Sequence, residues 1–252
     1  VFYSGTYANA IIPNGAQGSL RVQTAGGTSN AFPVGPTTFT GIAATAEIGT
    51  PAAAGQSAAN IGQEITLIGA NFTANTNVIF PVKDDNGVQS TVNVRIKNVA
   101  PDGTWATVEP PQGAVTGNIS VFGVSSAINL QIVPVLNSYN LYDFLPSGTS
   151  RNLTFYGNGF VEGNHKVKFG DVTTTDPDTG PNTVDVYSSG TAFNTIIPNN
   201  AKGTVQVTTN GGTSNALVVG PTAFTGVNAV AASGVPSTTS QPSANVEQTI
   251  VI

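Results

Sequence analysis

One segment of this chain occurs twice. Residues 26–41 read GGTSNAFPVGPTTFTG and residues 211–226 read GGTSNALVVGPTAFTG, an offset of 211 − 26 = 185. Laid without a gap over residues 186–252, residues 1–67 are identical at 35 of 67 positions, more than compositional bias produces. Ile11-Ile12-Pro13 recurs as Ile196-Ile197-Pro198, and Gln56, Asn60 and Ile65 recur as Gln241, Asn245 and Ile250. Self-similarity at a fixed period means that the chain repeats a structural unit, and every other motif has to fit that period.

A shorter period lies inside the long one. Thr66, Gly69 and Phe72 recur as Thr154, Gly157 and Phe160 at 154 − 66 = 88, and Val78-Ile79-Phe80 is matched by Val167-Lys168-Phe169 one residue later. The period therefore divides into two related units of roughly 90 residues each. Within them, apolar residues alternate over short runs: Leu20 and Val22 are expected to face inward, as are Val92, Val94 and Ile96. Gly, Pro, Asn and Asp separate the runs, as at Ala25-Gly26-Gly27 and Asp84-Asp85-Asn86-Gly87, and no apolar stripe of helical period competes. The fold class expected is all-β, as tandem β-sandwiches truncated at both ends. Residues 1–38 read as the C-terminal half of one sandwich, 39–133 and 134–221 as two complete sandwiches, and 222–252 as the N-terminal part of a further one.

Charge restricts the partners. Only 8% of the residues are charged, against about 25% in an ordinary soluble domain, and eight Lys and Arg in a chain of net charge −5 do not form the cationic footprint that a phosphate backbone requires. No nucleic-acid partner is expected. Without cysteine there is no disulfide, thiolate nucleophile or cysteine metal site. Apolar runs such as residues 130–136 are far shorter than the roughly 20 residues of a membrane-spanning helix, so no membrane span is expected in this window.

The recurring motifs resemble those of the IPT/TIG family of immunoglobulin-like domains. The residues that carry the resemblance are the strand and turn at Gly69-Ala70-Asn71-Phe72 and Gly157-Asn158-Gly159-Phe160, and the strands at residues 78–80 and 167–169. The Ile-Ile-Pro strand end belongs to the same set, as does the Gly-x-Val-x-Val strand that runs into Gly-Gly-Thr-Ser-Asn-Ala. The second unit departs from the pattern in having Pro81 where Gly170 follows Phe169, and Val124-Ser125-Ser126-Ala127 in place of the Gly-Gly hairpin. The resemblance implies an immunoglobulin-like sandwich found in receptor ectodomains, transcription factors, accessory modules of carbohydrate-active enzymes and bacterial surface proteins. It implies no activity. Tandem copies that are poor in cations and lack cysteine look most like the bacterial surface or extracellular branch.

Candidate chemistry is sparse. Asp171, Asp176 and Asp178 stand in a Gly-bearing loop where alternate carboxylates could present oxygens to calcium, the one candidate cofactor; Asp84-Asp85-Asn86-Gly87 is the runner-up. The same residues serve turns without any ion. His165 is the only histidine, and its polar neighbours Asn164 and Lys166 suggest a solvent-facing turn rather than a catalytic base. Glu64, Glu109 and Glu162 form no recognisable pair for glycoside hydrolysis. Tyr139, Tyr142 and Phe144 could form a sugar-binding strip or pack at a core or domain junction. Asn71, Asn118 and Asn152 begin glycosylation sequons.

The expected function is non-enzymatic: a structural segment of a repetitive extracellular or cell-surface fibre, stalk or coat, completed by neighbouring repeats or subunits. The expected partners are neighbouring copies of itself or adjacent repeats, by self-assembly or strand exchange, because outward positions are mostly Thr, Asn, Gln or Ser rather than the charges that normally guard edge strands. The alternative is an adhesive or carbohydrate-binding module, with glycans as the partner.

Overall fold

The computed structural model describes residues 9–11, 19–142, 152–163, 165–176, 184–198, 201, 203–220 and 226–251. Every regular element among them is a strand. The first four form two small ribbons: β1 (Ser19–Leu20) pairs with β4 (Phe32–Pro33), and β2 (Gln23–Thr24) with β3 (Gly27–Thr28). Ten strands follow: β5 (Thr38–Ala43), β6 (Thr50–Pro51), β7 (Ala58–Ala59), β8 (Ile65–Ala70), β9 (Asn77–Lys83), β10 (Gln89–Arg95), β11 (Asn98–Val99), β12 (Trp105–Val108), β13 (Gly117–Val121) and β14 (Ala127–Ile132). All but β6 assemble into sheets of order β10-β9-β13-β14-β7 and β11-β12-β8-β5. Between these sheets Leu67, Phe80, Ala106 and Val78 are fully buried because alternate side chains of each strand point to one face.

A second sandwich comprises β15 (Val135–Tyr142), β16 (Asn152–Asn158), β17 (Lys166–Phe169), β18 (Val172–Thr175), β19 (Val184–Tyr187), β20 (Ala192–Ile196), β21 (Thr204–Thr209), β22 (Gly212–Thr213) and β23 (Leu217–Val218). One sheet has the order β15-β16-β20-β19. The other runs β18-β17-β21-β22 and continues onto β6 of the first sandwich, with β23 branching from β21. The two apolar cores are separate clusters, one drawn from residues between Phe39 and Ile132 and the other from residues between Leu136 and Val207.

The motif shared by the two sandwiches has a steric explanation. A Cβ on Gly69 or Gly157 would overlap the carbonyl oxygen of Thr38 or Val135 on the adjoining strand and would sit 2.8 or 2.7 Å from the ring of Phe72 or Phe160. Asn71 (φ 61°) and Gly159 (φ 75°) hold the left-handed turn that folds each ring back over its own glycine. Both rings are 4% exposed. A second pair of glycines, Gly103 and Gly190, closes the motif from outside, accepting hydrogen bonds from the amides of Phe72 (3.0 Å) and Phe160 (3.2 Å). That pair was not picked out in the sequence, although a Gly-Thr dipeptide recurs at 190 − 103 = 87.

Some inward assignments change. Leu20 and Val22 are 44% and 53% exposed, whereas their counterparts 185 residues later, Val205 and Val207, are fully buried. The second copy is the continuous strand β21, whereas the first is broken at residues 21–22 between β1 and β2, and among the described residues it has no opposing sheet to pack against. Ile96 is buried as expected, but Val92 is 36% exposed, because β10 is an edge strand that among the described residues pairs only with β9. In the second unit, where the Gly-Gly hairpin is replaced, β13 and β14 are joined by a longer loop held by Ser126 Oγ donating to the Phe39 carbonyl at 2.7 Å.

Candidate functional site: the junction between the sandwiches

The repeated Gly-Gly-Thr-Ser-Asn segment forms a hairpin, and in its second copy the hairpin is docked. Thr209 and Gly212 flank the two-residue loop Asn210-Gly211, and Gly212 and Thr213 then pair antiparallel with Pro51 and Thr50. Ala52 N donates to the Gly211 carbonyl at 3.1 Å. Contact is through backbone, so side chains would obstruct it. A Cβ on Gly211 would overlap the Ile132 carbonyl and one on Gly212 the Thr50 carbonyl, while one on Gly49 would lie 2.6 Å from the Thr213 carbonyl. Gly49 and Gly212 also have φ of 83° and 140°, a region that favours glycine.

The linker between the sandwiches is splinted by side-chain amides. Asn60 Nδ2 donates to the carbonyls of Ile48 and Val133, both at 3.0 Å, while its Oδ1 accepts from Ile48 N at 2.9 Å. Gln63 Oε1 accepts from the backbone of Asn60, and Gln63 Nε2 donates to the Thr45 carbonyl. On the far side, Asn215 pairs with both backbone groups of Leu136, accepting at 2.9 Å and donating at 2.8 Å. These amides act as strand partners where no strand is available, which leaves the linker little backbone freedom.

A third contact is made by a carboxylate. Ser188 and Ser189 are successive left-handed residues, both at φ 55°, and their amides donate to the Asp85 carboxylate at 3.1 and 2.6 Å. Consecutive amides in such a turn form a small anion-binding concavity, which a neighbouring carboxylate fills here. Gln112 Nε2 donates to the Ser189 carbonyl at 2.8 Å, and Lys83 Nζ to the Glu162 carbonyl at 3.4 Å. Asp84, in the same turn as Asp85, accepts from the amides of Asn86 and Val88. The carboxylates of the runner-up calcium turn are thus engaged with backbone N–H groups. Beside the hairpin tip, a polar cleft of about 220 Å³ is lined by Lys83, Gln89, Thr116, Thr209 and Asn210.

The calcium loop does not bring its described members together. Asp171 is exposed in the turn between β17 and β18, and Asp176 is buried beyond the far end of β18. The extended strand holds them roughly 16 Å apart, so they cannot share an ion. Asp178 lies outside the described residues. Asp176 instead joins His165, which is 2% exposed rather than solvent-facing. His165 continues the inward face of Val167 and Phe169, and the β17–β18 register sets it opposite Asp176, whose amide donates to the His165 carbonyl at 2.9 Å. The alternation of residues 165, 167 and 169 already carried this signal.

Burial keeps His165 neutral. Removal from water pushes its pKa down to about 4, against an opposing contribution from the Val161 carbonyl, which accepts from Nδ1 at 3.1 Å. The ring lies 5.0 Å from that of Phe193 and 6.5 Å from that of Phe160. Glu162, also buried, accepts from Val186 N at 2.7 Å, and Asp176 from Gly163 N at 2.7 Å. The polar groups in this cluster therefore fix backbone. As pH falls below 6.5 the unfolded chain protonates its histidine while the folded chain does not until about pH 4. Stability that is fully present above pH 6.5 is therefore lost through that window. Urea unfolding at several pH values is expected to show a shallower slope for His165→Phe than for the wild type; parallel curves would contradict it.

Of the aromatic strip, Tyr139 packs 6.2 Å from the core ring of Phe155, whereas the Tyr142 side chain and Phe144 lie outside the described residues. A different aromatic is exposed: Trp105, 42% exposed, beside its cross-strand neighbour Ile68, 44% exposed, which is flanked in turn by Gly41. Asn71 Nδ2 of the first sequon donates to Thr37 Oγ1 at 2.9 Å, and Asn118 is exposed on β13.

No family model and no curated protein matches the chain. Among solved structures it is similar to SGBP-B from a complex xyloglucan utilization locus in Bacteroides uniformis, at 18% sequence identity and a TM-score of 0.28. The match covers 71% of this chain and 48% of that one, so the matched part spans about half the length of that structure. At that TM-score the similarity bears on neither fold nor function.

Proposed function

We propose that this chain is a non-enzymatic structural segment of a repetitive extracellular or cell-surface fibre, stalk or coat, built from tandem immunoglobulin-like sandwiches of the IPT/TIG type and completed by neighbouring repeats. The observation that carries this reading is the sheet that continues from β22 of one sandwich onto β6 of the preceding one. A junction made of backbone pairing, a splinted linker and an Asp85 clamp transmits orientation as well as tethering. With the 185-residue period, it suits a chain that gains reach by adding units. Small-angle X-ray scattering is expected to show a rigid, elongated particle at every salt concentration; a distribution of interdomain angles would count against the stalk.

The exposed Trp105–Ile68 pair favours one second reading, adhesion to glycans, since a flat apolar face beside a glycine suits stacking against a sugar ring. Glycan-array binding that is lost in Trp105→Ala would support that reading, and no binding would leave the structural role alone.

A further inference from the structure

Both parts of the internal junction occur a second time in the chain, and among the described residues these second copies are undocked. The hairpin around Gly26 reproduces the one around Gly211: Gln23 pairs with Thr28 as Thr208 does with Thr213, and Thr24 with Gly27 as Thr209 does with Gly212. Ser29 Oγ accepts from Val22 N at 2.9 Å as Ser214 Oγ does from Val207 N. Gly26 N donates to Thr24 Oγ1 at 3.2 Å as Gly211 N does to Thr209 Oγ1. The receiving segment recurs just as closely. Asn245 accepts from Ser233 N at 2.9 Å and donates to its carbonyl, as Asn60 does with Ile48, and Gln248 spans to Val230 as Gln63 does to Thr45. Gly234 has φ 78° where Gly49 has 83°.

The glycines show what the undocked copies lack. At the internal junction Gly211, Gly212 and Gly49 leave no space for a Cβ, yet a Cβ on Gly27 or Gly234 would meet nothing within 4 Å, and one on Gly26 only Thr24 Oγ1 at 3.7 Å. Gly26 is also not among the glycines of positive φ. Among the described residues, neither conformation nor packing accounts for a glycine at 26. Close approach by another backbone does, as it does at Gly211. Val235, the counterpart of Thr50, is 91% exposed.

We propose that the hairpin at residues 24–28 of one copy docks on residues 234–237 of a second copy, head to tail, in the register of the internal junction. Moving that register by 185 residues sets Thr28 opposite Val235 and Gly27 opposite Pro236. The contact deepens the stalk reading and rests on it: it is the step by which segments propagate.

The absence of cysteine permits a clean test. Thr28→Cys and Val235→Cys proteins, each with a single thiol, are mixed under mild oxidation. Residues directly opposite each other on antiparallel strands lie within disulfide reach. The heterodimer is expected in several-fold excess over the two homodimers, and adding Gly26→Val to the Thr28→Cys protein is expected to return the mixture to statistical proportions. A statistical mixture without Gly26→Val would overturn the proposal. The intramolecular pair Thr50→Cys with Thr213→Cys separates the two readings: if it closes while the heterodimer does not, only the contact between copies fails, and if it does not close, the junction beneath the stalk reading fails.

Discussion

Gly211→Val is expected to uncouple the two sandwiches while leaving both folded. Its side chain would enter the space of the Ile132 carbonyl, and that carbonyl cannot move aside. Ile132 N donates to Thr116 Oγ1 at 2.9 Å and Val133 N to the Ala59 carbonyl at 2.9 Å, so the linker is held from both flanks. The hairpin must therefore withdraw, taking with it the β22–β6 pairing. Scattering should change from that of a rigid rod to that of two bodies on a tether, with the circular dichroism of both sandwiches retained. Gly35→Val is the matched control, since a Cβ there meets nothing within 4 Å among the described residues and its φ is not positive; its melting temperature is expected to equal that of the wild type. If Gly211→Val scatters as the wild type does, the junction does not set the shape.

Phe155→Ala is expected to be the most damaging single change to stability. Phe155 is fully buried, stacked on Phe193 at 5.0 Å and edge-on to Phe169 at 6.2 Å. Deleting such a ring from a core costs about 3–5 kcal/mol, a large share of the 5–15 kcal/mol that holds a typical domain. The melting temperature of the second sandwich should fall by roughly 12 °C or more. The first sandwich has its own core and should be spared. The chain has a single tryptophan, Trp105, which sits in that first sandwich. Its fluorescence should therefore report the unchanged transition while circular dichroism records the lowered one. A Trp105 transition that fell by the same amount would mean the sandwiches unfold as one unit.

Much of the fold was legible because its determinants are local. Gly69 and Phe72, with Gly157 and Phe160, mark the same turn in both sandwiches, and the requirement for Asn or Gly at 71 and 159 follows from a single backbone angle. The Gly-Gly hairpin was legible for the same reason. Where burial depends on a partner sheet, sequence failed: Leu20 and Val22 carry the alternation of Val205 and Val207 and yet are exposed. His165 was misjudged from its polar neighbours, although strand parity placed it inward. Spacing in sequence likewise says nothing of the strand that runs between Asp171 and Asp176 and holds those two apart.

The sequence by itself determined the period, the sandwiches and the hairpins, because turns and alternation depend on residues a few positions apart. Only the tertiary structure decided what the hairpin is for. The stretch around Thr50 and Pro51 has the composition of a linker, and its partner lies some 160 residues downstream. The two meet through backbone carbonyl and N–H groups such as Ala52 N on the Gly211 carbonyl, so side-chain identity carries no record of the pairing except the glycines that leave it room.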